Sequence, residues 1–195
     1  SAVSVIGLGA LGVGRALQER RARVDDRALR PPGALDEDGL LAACVRCGLC
    51  VQACPYATLR LARSGEAVPV GTPYFRARAV PCEMCREIPC VRACPTGALV
   101  SSLLDIERAR MGRASLSRPE GCYSFTGAAA CNSCFKACPL KGRAIVMKPG
   151  LTRLGGRLTP TVAADVCTGC GKCEKACIAE VAAITVSRVH GAPAG

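Results

Sequence analysis

Cys44-Val-Arg-Cys47-Gly-Leu-Cys50-Val-Gln-Ala-Cys54-Pro55 is the stretch that decides how the rest of the chain is read. Its spacing, C-x2-C-x2-C-x3-C-P, suits thiolates that hold four-iron clusters. Three thiolates from a tight loop can cap three irons of one cubane, while the fourth is free to reach a different cluster. One such run implies a second, and this sequence has four. Run two is Cys82-Glu-Met-Cys85-Arg-Glu-Ile-Pro-Cys90-Val-Arg-Ala-Cys94-Pro95. Run three is Cys122, eight residues, then Cys131-Asn-Ser-Cys134-Phe-Lys-Ala-Cys138-Pro139. Run four, Cys167-Thr-Gly-Cys170-Gly-Lys-Cys173-Glu-Lys-Ala-Cys177, is regular but has Ile178 in place of proline.

Working outward, each run is followed by a short β-type stretch, such as Ala57-Thr-Leu-Arg-Leu61 after the first. The repeat is therefore cysteine loop, helical turn, short strand, with the proline after the fourth cysteine opening the turn. Asp36 is placed to cap a helix over Glu37 to Ala43 that leads into run one. Asp105 to Met111 reads as a short connecting helix. Gly- and Pro-bearing stretches, among them Pro149-Gly150 and Gly155-Gly156, read as linkers. Glu83, Met84 and Glu87 read as surface or packing residues around a cluster.

Half the residues are hydrophobic, yet there is no Trp and only three Phe and three Tyr to fill a core. The 16 cysteines stand in for them, because ligated thiolates tie distant segments together. A disulfide framework needs no such rhythm and no following proline. Structural zinc uses paired C-x2-C knuckles with two ligands each, and haem c needs C-x-x-C-H, which the sole histidine, His190, does not supply. Iron–sulfur ligation fits all sixteen as four complete sets, so four [4Fe-4S] clusters are expected. No iron is left open for substrate, and there is no nucleophile elbow, zinc-protease helix or phosphate loop. The chain reads as a single-electron relay, an electron-transfer subunit with no bond-making of its own.

The formal charge of +11 suggests nucleic acid at first sight. Four cubanes, each near −2 when oxidised and −3 when reduced, would bring it to about +3 or about −1. The basic residues then serve as countercharge, and no nucleic-acid partner is expected. Gly7-Leu-Gly9-Ala-Leu-Gly12, with Asp25 and Asp26 downstream, matches a dinucleotide fingerprint. Those glycines work only inside a βαβ unit of a parallel sheet, and there is no room for one before Cys44. The uncharged segment from Ser1 to Gly14 reads better as the tail of an export signal or a short anchor.

With these motifs placed, the sequence resembles the MauM/NapG-type periplasmic ferredoxin family from Arg30 to about Val186. The resemblance rests on Arg30-Pro-Pro-Gly-Ala-Leu35, run one with Tyr56, and Gly71-Thr-Pro-Tyr-Phe75. It continues through Val80-Pro-Cys-Glu-Met-Cys85, Ile88 to Leu99, Asp105-Ile-Glu-Arg-Ala-Arg-Met-Gly112 and run four. It implies export in the folded state by the twin-arginine route and a periplasmic, membrane-associated location. It also implies a membrane-bound ferredoxin-type quinol dehydrogenase subunit as donor and a downstream periplasmic redox protein, nitrate reductase in the NapG branch, as acceptor. A methylamine-utilisation system or a molybdopterin oxidoreductase is the alternative setting.

Similar four-cluster subunits of molybdopterin oxidoreductases exchange their fourth cysteines in a nested way. Carried over, Cys44, Cys47 and Cys50 would share a cluster with Cys177, and Cys167, Cys170 and Cys173 with Cys54. Cys82, Cys85 and Cys90 would take Cys138, and Cys122, Cys131 and Cys134 would take Cys94. The expected fold is then α+β, two bacterial-ferredoxin-like modules, one nested in the other. The outer module would comprise 30–62 plus 160–190 and the inner module 63–159, after an apolar tail and charged linker over 1–29. Sequential pairing, one with two and three with four, is the rival. Linkers of 27, 27 and 28 residues between the runs do not discriminate.

Overall fold

Asp36 begins the first helix as expected: its carboxylate accepts from the Gly39 N–H at 2.8 Å. Helix α1 then runs Glu37–Ala43, with Glu37 and Asp38 in the first turn, where negative charge suits the helix dipole. It ends on Cys44, whose N–H bonds back to Leu40, so the helix delivers the first thiol. The computed structural model describes residues 24–152 and 155–189. The apolar start, Gly7, Gly9, Gly12 and His190 lie outside them. Asp25, the acidic residue of the apparent fingerprint, accepts from the Arg76 guanidinium at 2.7 Å.

Each run contributes a helical turn that carries its third cysteine. These are α2 (Leu49–Gln52), α3 (Pro89–Arg92), α5 (Ser133–Ala137) and α6 (Lys172–Lys175). The turn leads into the fourth cysteine, where the sequence reading had it follow. A helix this short has no stability alone and persists only through packing. Here α2 packs on α3, and α5 on α6. Runs one and two thus form one unit, and runs three and four another.

The expected pairing of run one with run four and run two with run three is therefore not the one the helices make. Run two absorbs its two extra residues in the loop before Pro89. Ile88 there adopts a left-handed φ of 42°, as Gly48 (78°) does before α2. The eight residues between Cys122 and Cys131 hold one further turn, α4 (Tyr123–Thr126).

Three two-stranded antiparallel ribbons complete the fold. Strand β1 (Arg60–Leu61) pairs with β2 (Pro73–Tyr74). β3 (Arg113–Leu116) pairs with β6 (Ile184–Ser187), Ala114 opposite Val186, and joins the segment after run two to the last strand. β4 (Ile145–Thr152) pairs with β5 (Gly155–Val162), so the glycines and Pro149 expected in linkers lie in strands. A two-stranded ribbon leaves each strand one free edge, which tolerates Pro149 and Pro160. The expected helix over Asp105 to Met111 is a single 3-10 turn, Ile106–Arg108, capped by Asp105.

One continuous core runs through the molecule, mixing Leu29, Leu40, Phe75, Leu99, Ile145 and Ile184 with cysteines 50, 90, 134, 167, 170 and 173. Each buried aliphatic side chain contributes roughly 1.5–3 kcal/mol. Around this core Arg30, itself buried, donates to Glu37, to the Thr72 hydroxyl at 2.9 Å and to the Pro73 carbonyl at 2.8 Å. Arg188, beyond β6, pairs with the same Glu37. Burial works against the Glu37 carboxylate, yet Arg30 and Arg188 outweigh it and hold it below its ordinary range.

Candidate metal centres

Among the described residues, four cavities are each lined by four cysteines. The Cys47 set is Cys44, Cys47, Cys50 and Cys94. The Cys85 set is Cys82, Cys85, Cys90 and Cys54. The Cys131 set is Cys122, Cys131, Cys134 and Cys177, and the Cys170 set is Cys167, Cys170, Cys173 and Cys138. The sixteen cysteines line these cavities in four sets, three from one run and the fourth from its partner. The exchange is between neighbours: Cys54 joins run two instead of run four, and Cys177 joins run three instead of run one.

Backbone conformation shapes each loop. Arg46 (φ 59°) and Gly48 flank Cys47, as Gly169 (76°) and Gly171 (89°) flank Cys170. Met84 (59°) precedes Cys85. Left-handed turns of this kind turn successive N–H groups inward, a concavity that favours negative charge. The need for glycine is strictest at Gly169, where an added Cβ would sit 2.3 Å from the Gly112 backbone nitrogen.

The fourth cysteine of each run is held by the strap that follows it. Burial raises Cys54, but the N–H groups of Tyr56, Leu59 and Thr58 outweigh it and bring the thiol below its usual value. Cys94 is lowered in the same way against burial by Leu99, Thr96 and Ala98. The donors stand two, four and five residues after the cysteine in both cases. Proline has no N–H and fixes the turn, which explains its place directly after the thiol. In run four, where Ile178 replaces it, the Ala183 N–H reaches the Cys177 sulfur at 3.4 Å.

Several other thiols are pushed the other way. Burial, and after it the neighbouring thiols, raise Cys82 and Cys90 to about 12 and Cys50 and Cys134 to about 11. Cys173 is also raised, by burial and then by Cys170 and Cys167. Sulfurs crowded this way stay protonated until a cation replaces the protons, so metal loading is coupled to proton release. The cavities measure about 400, 380, 370 and 330 Å³ out to solvent. No three His, Cys, Asp or Glu side chains among the described residues converge as ligands of a single metal ion would. Four sulfurs around a space, with N–H donors behind them, fit a cluster.

Arg78 was not singled out from sequence. From the linker before run two its guanidinium donates to the carbonyls of Glu174 and Cys177, both at 2.7 Å, and of Ala179 at 3.0 Å. It thereby closes the end of α6 and holds the backbone of a fourth cysteine in the other unit. Nothing distinguishes it in sequence from the other arginines. Glu174, buried, accepts from the Val186 N–H at 2.7 Å and ties α6 to β6.

Paired units with cysteine exchange define an iron–sulfur protein of the dicluster type. The 4Fe-4S dicluster domain family matches residues 43–98 and 129–181. The chain is 50% identical over 183 residues to the "Ferredoxin-type protein NapG" of Escherichia coli (strain K12), covering 92% of this chain and 79% of that protein. It is 51% identical over 168 residues to the "Methylamine utilization ferredoxin-type protein MauM" of Methylorubrum extorquens, covering 86% and 76%. The "Ferredoxin-type protein NapF" of E. coli is 27% identical over 176 residues, 90% of this chain and 94% of that one. No solved structure matches. The chain belongs to the NapG/MauM family of ferredoxin-type proteins and functions in iron–sulfur electron transfer.

Proposed function

We propose that the chain holds four [4Fe-4S] clusters, one in each cysteine set. The modules are then sequential, runs one and two in the first and runs three and four in the second. The carrying observation is that each cavity gathers three thiols of one run and the fourth of its packing partner. When bound, such clusters supply one-electron transfer. The chain's own residues fix the thiols, direct N–H groups at the fourth sulfur and keep water from the buried ones. It relays electrons and performs no substrate chemistry.

The donor in this reading is a membrane-bound ferredoxin-type quinol dehydrogenase subunit, and the acceptor a periplasmic redox protein leading to nitrate reductase. The NapG relatives support that setting. MauM relatives of similar identity support a methylamine-utilisation setting as the second reading. A periplasmic location, export by the twin-arginine route and membrane association belong to the same proposal. Among the described residues no helix is long and apolar enough to cross a membrane.

Anaerobically purified protein should contain about sixteen irons and as many sulfides per chain, four clusters of four. Cys54→Ala should remove the cluster of Cys82, Cys85 and Cys90 and spare that of run four. Colourless protein with stoichiometric zinc would overturn the reading. For the setting, membranes carrying the quinol dehydrogenase subunit should reduce the protein when given quinol; no reduction would reject that donor.

A further inference from the structure

Resting on the assignment of one cluster to each set, we infer that the four sets stand in the spatial order Cys47, Cys85, Cys170, Cys131. The third run of the sequence then lies at one end of the line, and the fourth run lies inside it. The outer links follow from helix packing: α2 with Cys50 lies on α3 with Cys90, and α5 with Cys134 lies on α6 with Cys173.

The middle link is a face between the loops of runs two and four. The Cys82 N–H donates to the Cys170 carbonyl at 2.8 Å, one ligand's backbone bonded to the other's. The Thr168 hydroxyl lies 3.4 Å from the Met84 sulfur, and Lys172 pairs with Glu83. Gly171 faces Ala77 so closely that a Cβ on it would lie 2.5 Å from the alanine Cβ. Among the described residues no hydrogen bond or ion pair links run one to the second module, or run three to the first. Single-electron transfer weakens steeply with distance, so this face is the crossing between modules.

Donor and acceptor accordingly approach the ends. Cys47 is exposed between exposed Val45 and Leu49, and the Cys131 set is bordered by exposed Tyr123 and Ile178. One electron from a one-electron donor enters at one end and one leaves to the acceptor at the other. The donor is oxidised by one equivalent, the acceptor is reduced by one, and no bond or proton is exchanged.

The order is tested by electron paramagnetic resonance of fully reduced protein. Cys54→Ala, which removes an inner cluster, should leave the Cys47 cluster magnetically isolated, with one uncoupled signal per molecule. Cys131→Ala, which removes an end cluster, should leave three coupled neighbours and no isolated signal. An isolated signal from Cys131→Ala, or none from Cys54→Ala, overturns the order. Each variant should keep about twelve irons, three clusters of four. Wild-type protein far from sixteen would instead reject the four-cluster assignment itself.

Should a variant shed more than one cluster, Lys172→Met decides, since it replaces no ligand and leaves the Lys172 N–H to the Cys170 sulfur in place. Removing that charge from the face should lower the midpoint potentials of two clusters of the four. A shift confined to one cluster overturns the contact between the Cys85 and Cys170 sets.

Discussion

Runs one and four share the spacing C-x2-C-x2-C-x3-C and sit in opposite surroundings. In run one Cys47 is exposed, and the left-handed position before it is filled by Arg46, itself exposed. In run four all three loop cysteines are buried, and a glycine, Gly169, holds the position of Arg46 because other backbone lies against it. Gly169 rests on Gly112, Gly171 on Ala77, and the Met111 N–H donates to the Thr168 carbonyl at 2.9 Å. Spacing therefore specifies what the thiols can bind, while the opposite module decides how dry and how reducible the site is. Burial penalises the more negative, reduced form of a cluster, and solvent relieves that penalty.

The strongest way to break the contrast is at the second residue after the first cysteine. Gly169→Val forces a side chain into the Gly112 backbone at a left-handed φ, and should abolish cluster loading in the second module. Arg46→Gly, at the matching place in run one, should be neutral or stabilise by about 0.5–1 kcal/mol, since it relieves a left-handed non-glycine residue. Iron content and thermal unfolding of the two variants check the pair.

Arg78→Met comes next. It leaves the carbonyls of Glu174, Cys177 and Ala179 without their charged donor, and each such bond is worth on the order of 1.5–3 kcal/mol. Loss of roughly 3 kcal/mol is expected, with iron lost first from the Cys131 and Cys170 sets. Arg78→Lys should rescue little, because an ammonium cannot span three divergent carbonyls as a planar fork does.

A gentler probe leaves the sequence intact. With a chelator or mild oxidant, the exposed Cys47 set should lose iron before the buried Cys170 set, followed as stepwise bleaching alongside iron release. Redox titration should find the Cys47 set reduced at the higher potential. Reversal of both orders would mean that burial does not govern these sites.

The smallest effect concerns Glu37, which opens the helix into run one and pairs with Arg188 beyond β6. Its pKa in the folded protein lies below the unfolded value near 4.5. The stabilisation is therefore complete above about pH 4.5 and fades as pH falls through the folded value. Acid unfolding of the wild type should be steeper than that of Glu37→Gln, which lacks this titration.

The sixteen cysteines that gather into four sets were legible as candidate ligands because cluster chemistry demands fixed spacings, and the start of α1 because Asp36 caps it locally. Partner choice was not. It depends on how α2 meets α3 and on Ala114 facing Val186 across β3 and β6, residues that look like any short apolar stretch. Run two looks irregular beside run one, yet Ile88 reaches by strain the turn that Gly48 makes freely. The β4–β5 ribbon was hidden because Pro149 and three glycines, Gly150, Gly155 and Gly156, carry the composition of a linker, and cross-strand register is what overrides it. Arg78 left no trace, because its partners are main-chain carbonyls almost a hundred residues away.

Pairing of β3 with β6 also sets a timetable for synthesis. A growing chain has made every thiol of the Cys47 and Cys85 sets once it reaches Cys94, so that end can take up iron while the ribosome is still at work. β3 emerges soon afterwards and must wait, unpaired, until Ile184–Ser187 is made. A ribosome that stalls between the two would release a half-loaded chain with an open strand edge, a template for aggregation. The thiol sets are therefore completed in two stages, in a fixed order along the chain.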